Sequence, residues 1–342
     1  MPDTASDRII AVEEHFATAR FWERTAELSA FSGENAERIY TRNFITNDYI
    51  SRRLTDVPTR LDEMDRAGID VSVLSLNPPG VQLWSDSAAA TSLARDMNDA
   101  LADIVAADPT LFAALAAVAP QDPEAAAEEV RRTARTLGFN GVLISSHTGG
   151  RYLDEPEYEP ILAALEETGS TLYLHPRMPS PRMLAPYDPY GLQQAIWGFQ
   201  AEASTHAMRL ILGGVFDRHP DLRLVLGHLG EGIPYWLWRI DNLYAKSYAW
   251  ARDVLGMVQL DRAPSEYFAS NIWITTSGMF DRDTLAYCLA KVGAERILFA
   301  VDYPYEDGVA AAEFLAGAEL DAGQRAAISH RNAEHVFNLP TS

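Results

Sequence analysis

Eight short apolar runs, separated by helical stretches, constrain this chain more than any other feature. They are RIIAVEEHF (8–16), VSVLSLN (71–77), LFAALAAVAP (111–120), GVLISSH (141–147), TLYLHPR (171–177), LRLVLGH (222–228), NIWITTSG (271–278) and ILFAVDYP (297–304). Runs this continuous read as strands buried on both faces, the pattern of a parallel sheet. The segments between them read as helices. DPEAAAEEVRRTARTLG (122–138) places Asp122 at the N-cap, Pro123 in the first turn, arginines in the C-terminal half and Gly138 at the end, as capping and the helix dipole favour. LDEMDRAGI (61–69) also closes at a glycine. About eight strand–helix alternations predict an α/β fold, a (β/α)8 TIM-type barrel, with residues 1–342 as one domain. The rival is an open doubly wound sheet. A length of 342 residues suits a barrel.

Two stretches exceed the minimal pattern. Residues 17–54 are polar and aromatic with no clear strand. An insertion after the first strand would lie over the barrel mouth as a lid or subunit contact. Residues 236–268 exceed one crossover helix.

Composition narrows the partners. A formal net charge of -20 gives no electrostatic reason to bind nucleic acid or an anionic membrane. The single cysteine, Cys288, rules out an intrachain disulfide and a zinc–thiolate cluster; in its helical context it reads as a small buried apolar residue. The N-terminus has no basic and apolar leader pattern. No segment carries the ~18 consecutive apolar residues of a membrane span. A cytoplasmic protein is the simplest expectation.

In a barrel the active site lies at the C-terminal ends of the strands. Here the first run ends in Glu13-Glu14-His15, the fourth in His147, the fifth in His175, the sixth in His228 and the eighth in Asp302. Four of the eight histidines stand at strand ends, which predicts one converging site. Residues two apart on a strand share a face. Glu13 and His15 therefore point together, and Glu14 points to the helix layer or solvent. On this stretch alone, an ordinary polar strand end is an equal alternative. His175 precedes Pro176, which ends the strand and presents the imidazole at the rim. Glu13, His175 and Asp302 make a mixed N/O ligand set that suits Zn²⁺ or Mn²⁺. The plainer alternative for His175 is a core histidine bonded to backbone. In GHLGEGIPYWLWRID (227–241), His228 near a metal-bound substrate would be a general acid/base. The alternative is a structural histidine supported by Glu231 and Arg239. His206, His219, His330 and His335 fall in helices or connections and read as structural.

The motifs EEHF, LYLHPR, FDRHPDLRLVLGHLGE, NIWITTSG and ILFAVDYPYE, taken in order from Ile9 to Phe337, resemble the amidohydrolase superfamily. More narrowly, they resemble its metal-dependent, non-oxidative hydroxybenzoate decarboxylases, the γ-resorcylate, 2,3-dihydroxybenzoate and 5-carboxyvanillate group. Hydrolytic members carry His-x-His on the first strand and many carry a carboxylated lysine on the fourth. This chain has Glu13-x-His15 and no lysine in GVLISSH, which favours a mononuclear centre. The resemblance implies one divalent ion held by Glu13, His15, His175 and Asp302, with His228, Glu231 and Arg239 at catalytic and orienting positions. It also implies a homodimer or homotetramer and a small aromatic acid substrate. Phe21, Trp22, Phe31, Tyr303 and Tyr305 could flank its ring or equally be core, and Asn77 and His147 are further substrate-binding candidates.

The expected chemistry protonates the ring carbon before CO₂ leaves, since direct loss would create an aryl anion. Asp302 is the expected proton carrier; a dry aromatic pocket would raise its pKa, and metal charge would oppose that. The rival activity is metal-assisted hydrolysis of a lactone, amide or ester. A catalytically silent barrel acting as an assembly subunit is the rival of another class.

Overall fold

The computed structural model describes residues 8–31 and 46–341, with the side chains of 29–31 and of Pro189 left aside. Phe31 as a ring-flanking candidate, and the middle of the insertion, therefore lie outside the described residues.

Each apolar run supplies a strand, all parallel. They are β1 (Ile10–Phe16), β2 (Val71–Leu76), β3 (Phe112–Ala117), β4 (Gly141–Ser145), β5 (Thr171–His175), β6 (Leu224–Leu226), β7 (Ile272–Thr275) and β8 (Ile297–Leu298), paired in chain order. Backbone bonds close the ring between the end strands. Val12 N–H bonds Phe299 O at 3.2 Å, and His15 N–H bonds Tyr303 O at 2.9 Å. This is the (β/α)8 barrel, not the open sheet.

Burial splits into two compartments. Ile10, Val12, Val73, Leu115, Tyr173, Val225 and Leu298 fill the barrel interior, with Val336 and Phe337 packed among them. Ala11, Leu74, Ala114, Leu172 and Ile274 join the larger layer under the helices. Strands buried on both faces explain why the runs are apolar throughout.

Several strands are shorter than their runs. β8 covers two residues of ILFAVDYP, and β6 three of LRLVLGH. The remainders become rim loops, and these carry Asp302 and His228. The helix of 122–138 has the expected Asp122 cap on Ala125 N–H, but its last turn, Thr133–Leu137, is π-wound before Gly138. The segment 61–69 belongs to a longer helix, Val57–Ala67, capped by Asp56.

The insertion after β1 contributes helix Ala19–Phe31 and helix Asp48–Thr55. Beyond β6, helix Ile233–Leu255 and the short Glu266–Ser270 account for the extra length of 236–268. Among the described residues no helix is long and apolar enough to cross a membrane.

Candidate metal centre and active site

The first strand aims its carboxylates through a bulge. Ile10 pairs with Val71 and Ala11 with Ser72, but Glu14 pairs with Leu74 and His15 with Ser75. One extra residue sits between Ala11 and Glu14. Strict alternation from the interior residues Ile10 and Val12 would send Glu14 inward. The bulge shifts the parity, so Glu13 and His15 face the interior instead.

Glu14 goes to the helix layer, and not to solvent. It is buried and accepts Val301 N–H at 3.2 Å. Burial pushes its carboxyl up to about 8 against the opposing charge of Arg60. Arg60 is itself buried, donates to His15 O, and lies 4.2 Å over the Tyr303 ring.

Glu13, His15, His175 and Asp302 each offer one ligand atom, all within 4.8 Å of one another. The hydrogen bonds around them fix what those atoms can do. Pro176 O lies 2.6 Å from His175 Nδ1. A carbonyl only accepts, so Nδ1 carries the proton and Nε2 presents a lone pair. That Nε2 stands 3.2 Å from Glu13 Oε1, acceptor against acceptor. His15 Nδ1 contacts Ser75 Oγ at 3.0 Å, and its Nε2 lies 3.5 Å from Asp302 Oδ1. Glu13 Oε1 and His15 Nε2 are both buried without a hydrogen-bond partner. The lone pair of His175 Nε2, the partnerless His15 Nε2 and two carboxylates, converging this closely, fit a divalent cation.

The remaining Glu13 oxygen is held by Tyr173 OH and by Thr275 Oγ1 at 3.4 Å. Sequence reasoning missed Tyr173, although it stands two residues before His175 and so shares its face. Gly227 leaves room for this carboxylate, since a Cβ there would lie 3.1 Å from Glu13 Oε2 and 3.2 Å from Ser277 Oγ.

Beside the ligand cluster stands a second chain of polar contacts. His228 Nδ1 is 2.8 Å from Glu231 Oε1, and its Nε2 is 3.7 Å from Asp302 Oδ2. His228, Glu231 and Asp302 all have positive φ, at 51°, 55° and 77°, a conformation a fold keeps only where its surroundings impose it. Burial would lower the His228 imidazole, but Glu231, Glu13 and Asp302 raise it well above the ordinary range. Asp302 moves the other way: burial opposes its ionisation, yet the facing imidazoles of His15 and His228 hold its carboxyl low. The rise that a dry pocket alone would give is therefore corrected, because these neighbours outweigh desolvation. Glu13 is likewise held at about 2, with burial outweighed chiefly by the His228 charge.

A cavity of about 1150 Å³ opens above these residues, lined by His175, Arg177, His228, Glu231, Arg239, Asp302 and Tyr305 among others. Arg239 projects from helix Ile233–Leu255 and is exposed. Among the described residues it forms no ion pair with Glu231, so it belongs to the cavity wall and does not brace His228. Asn77 reaches the wall through Tyr305, whose hydroxyl donates to Asn77 Oδ1 at 2.5 Å.

Other ring-flanking candidates lie elsewhere. Phe21 and Trp22 are buried, with Phe21 packed 5.2 Å from Trp22 and 6.1 Å from Trp84, because helix Ala19–Phe31 turns them into the core. His147 is buried, with Nε2 3.1 Å from Met178 O and Nδ1 accepting Gly150 N–H at 3.1 Å; it shapes the rim backbone. Tyr303 stacks under Arg60. Cys288 is buried as expected.

Comparison with known proteins agrees with this geometry. Residues 51–339 match the amidohydrolase family model. Over 341 residues the chain is 37% identical to the γ-resorcylate decarboxylase of Rhizobium sp. (strain MTP-10005), covering 96% of this chain and 98% of that one. The crystal structure of 5-carboxyvanillate decarboxylase from Sphingomonas paucimobilis superposes with a TM-score of 0.94 at 40% identity, covering 98% and 100% of the two chains. The dihydroxybenzoic acid decarboxylase of Polaromonas sp. JS666, solved with manganese and 2-nitroresorcinol, gives 0.84 at 35% identity, covering 98% of each. With its barrel, its Glu-x-His first strand and full-length likeness to these carboxy-lyases, the chain belongs to the amidohydrolase family, within its decarboxylase group.

Proposed function

We propose that this protein removes CO₂, without oxidation, from an ortho-hydroxylated aromatic acid of the γ-resorcylate, 2,3-dihydroxybenzoate or 5-carboxyvanillate kind. The observation that carries this is the convergence of Glu13, His15, His175 and Asp302 with His228 and Glu231 directly beside it. These four residues would hold one Zn²⁺ or Mn²⁺. When bound, that ion supplies positive charge against the substrate carboxylate and its ortho oxygen.

The chain's own residues do the rest. Glu231 holds His228 Nδ1–H and so aims Nε2 at Asp302. His228 passes a proton to Asp302, and Asp302 delivers it to the ring carbon that bears the carboxylate. The carbon–carbon bond then breaks, its electron pair restores the aromatic ring, and CO₂ departs. Pro78, Met279 and Tyr305 wall the cavity and keep water from the developing charge. Arg239 meets a distal oxygen of the ring. In this reading residues 1–342 act as one domain, because the ligand set draws on both the first strand and the loop after the last. Tyr235, Trp238 and Trp250 are 67%, 74% and 78% exposed on helix Ile233–Leu255, a surface suited to a homodimer or homotetramer.

The test is CO₂ release from a panel of ortho-hydroxybenzoates, before and after chelation. Chelation should abolish turnover, and Mn²⁺ or Zn²⁺ should restore it. Full turnover in metal-free protein, or solvent ¹⁸O entering a product with no CO₂ released, would overturn the proposal.

A further inference from the structure

We propose that Ser277 is a positioning residue for the reaction: its hydroxyl ties the backbone of His228 to the Glu13 carboxylate, so that the imidazole and the ligand cluster keep one fixed geometry. The inference rests on the decarboxylation reading and adds to it a residue behind the acid–base histidine. Ser277 follows β7 and is fully buried. Alternation along this run turns Thr275 and Ser277 to one side and Thr276 to the other, and the hydroxyls sort accordingly. Thr276 Oγ1 accepts Ala300 N–H and donates to Ala300 O, each at 3.0 Å, a brace to the neighbouring run. Those of Thr275 and Ser277 lead to the site.

His228 N–H donates to Ser277 Oγ at 3.1 Å. Ser277 Oγ lies 2.8 Å from Thr275 Oγ1. Thr275 Oγ1 lies 3.4 Å from Glu13 Oε2 and 3.3 Å from Tyr173 OH, which donates to that same carboxylate oxygen. An amide N–H can only donate, and an ionised carboxylate can only accept. The Tyr173 proton is committed to Glu13. Among the described residues, Thr275 Oγ1 is the acceptor open to the Ser277 proton, so Thr275 donates onward to Glu13 or Tyr173. Every proton in the chain thus points from His228 toward Glu13, and hydrogen bonds aligned head to tail reinforce one another.

The backbone at His228 needs such a hold. His228, Leu229 and Glu231 have φ of 51°, 51° and 55°, in the left-handed region that L-residues disfavour. Gly230 N–H bonds Gly227 O at 2.8 Å, and Glu231 holds the ring through Nδ1. Both contacts lie within the turn itself and can move with it. Ser277 comes from another strand and supplies the fixed reference. Gly278 completes the seat. At its φ of 60° a Cβ would lie 3.2 Å from His228 Cδ2 and 3.8 Å from Asp302 Oδ2, so the bare backbone lets the imidazole rest against the end of this run.

The test compares wild type with Ser277→Ala in two measurements. The first is turnover of the Mn²⁺-loaded enzyme on the hydroxybenzoate it decarboxylates fastest. A reacting group misplaced by about 1 Å can cost about a hundredfold in rate. Ser277→Ala should lose about that much kcat while KM changes less than about twofold. The second is NMR of Zn²⁺-loaded protein labelled with ¹⁵N in histidine only, with the His228 signals identified by their loss in His228→Gln. In Ser277→Ala both the amide and the ring signals of His228 should move, while those of His206, His219, His330 and His335 stay. Wild-type kcat overturns the inference. So does a ring signal that stays in place, even with kcat lowered, because the hydroxyl then holds backbone alone. If Ser277→Ala does not fold, the isosteric Thr275→Val cuts the chain one link further on. A moved His228 ring with lowered kcat then supports the inference, and an unmoved ring overturns it. If no hydroxybenzoate releases CO₂, the decarboxylation reading fails separately, and the His228 ring signals still decide whether Ser277 positions it.

Discussion

Asp302 N–H bonds the carbonyl of Glu13 at 3.1 Å, so two candidate metal ligands from opposite ends of the chain are locked through backbone. The same carbonyl accepts Tyr303 N–H at 3.2 Å. Their side chains can therefore be altered without moving the strands that carry them. Asp302→Asn should keep the fold and lower kcat on the order of a thousandfold or more, the scale of losing a positioned proton carrier. CO₂ release with circular dichroism on the same sample checks this. Retained turnover would remove Asp302 from the proton path.

Tyr173 fixes the second oxygen of Glu13. Tyr173→Phe leaves that buried carboxylate one donor short, with Thr275 Oγ1 at 3.4 Å as the weaker remaining contact. Partners that orient a metal ligand are typically worth ~10–100-fold in metal affinity. A Mn²⁺ titration of chelated protein should show a loss of that size while the metal-free melting temperature shifts little. Unchanged affinity would make Tyr173 a packing residue only.

The barrel was legible because burial on both faces forces continuous apolar runs, which few other architectures produce. The rim was legible because a polar residue closing such a run has little purpose in a core. Glu13 and His15 share a face, but the parity of their strand does not follow from its apolar residues. A bulge re-aims them, and a bulge has no signature in RIIAVEEHF. Phe21 and Trp22 take the core alternative; an aromatic residue reads alike in core and pocket, and only the turn of helix Ala19–Phe31 decides. Arg60 was invisible because the His15 carbonyl it donates to lies 45 positions earlier.

Arg60 lies buried behind the ligand strand, within electrostatic reach of Glu14 but with no direct ion pair to it among the described residues. Arg60→Met removes the donor to His15 O and the charge facing Glu14. Leaving a buried acceptor without its charged donor typically costs about 1–3 kcal/mol. Urea unfolding of Arg60→Met should show a loss of that order, and Arg60→Met with Glu14→Leu should recover the share owed to Glu14. If the double variant is no more stable than the single one, the Arg60 charge does not act on Glu14.

His206 offers a pH test away from the metal ligands. Its Nε2 accepts Leu153 N–H at 3.0 Å, which leaves Nδ1–H facing Ser146 Oγ at 3.3 Å. Ser146 in turn donates to Glu202 Oε1 at 3.1 Å. Burial, with the nearby His147 and Arg209 charges, pushes the imidazole down to about 3. The folded state thus refuses a proton that the unfolded chain accepts near pH 6.5. Between those limits the unfolded state binds more protons, so stability must rise with pH. The contribution is fully present above about pH 6.5 and is lost as pH falls toward 3, at up to about 1.4 kcal/mol per unit. His206→Gln keeps an amide oxygen to accept from Leu153 but cannot titrate. In urea melts of metal-free protein from pH 7 to 4.5, the gap between wild type and His206→Gln should narrow or reverse as acid is added. A constant gap would mean that His206 titrates alike in the folded and unfolded chain.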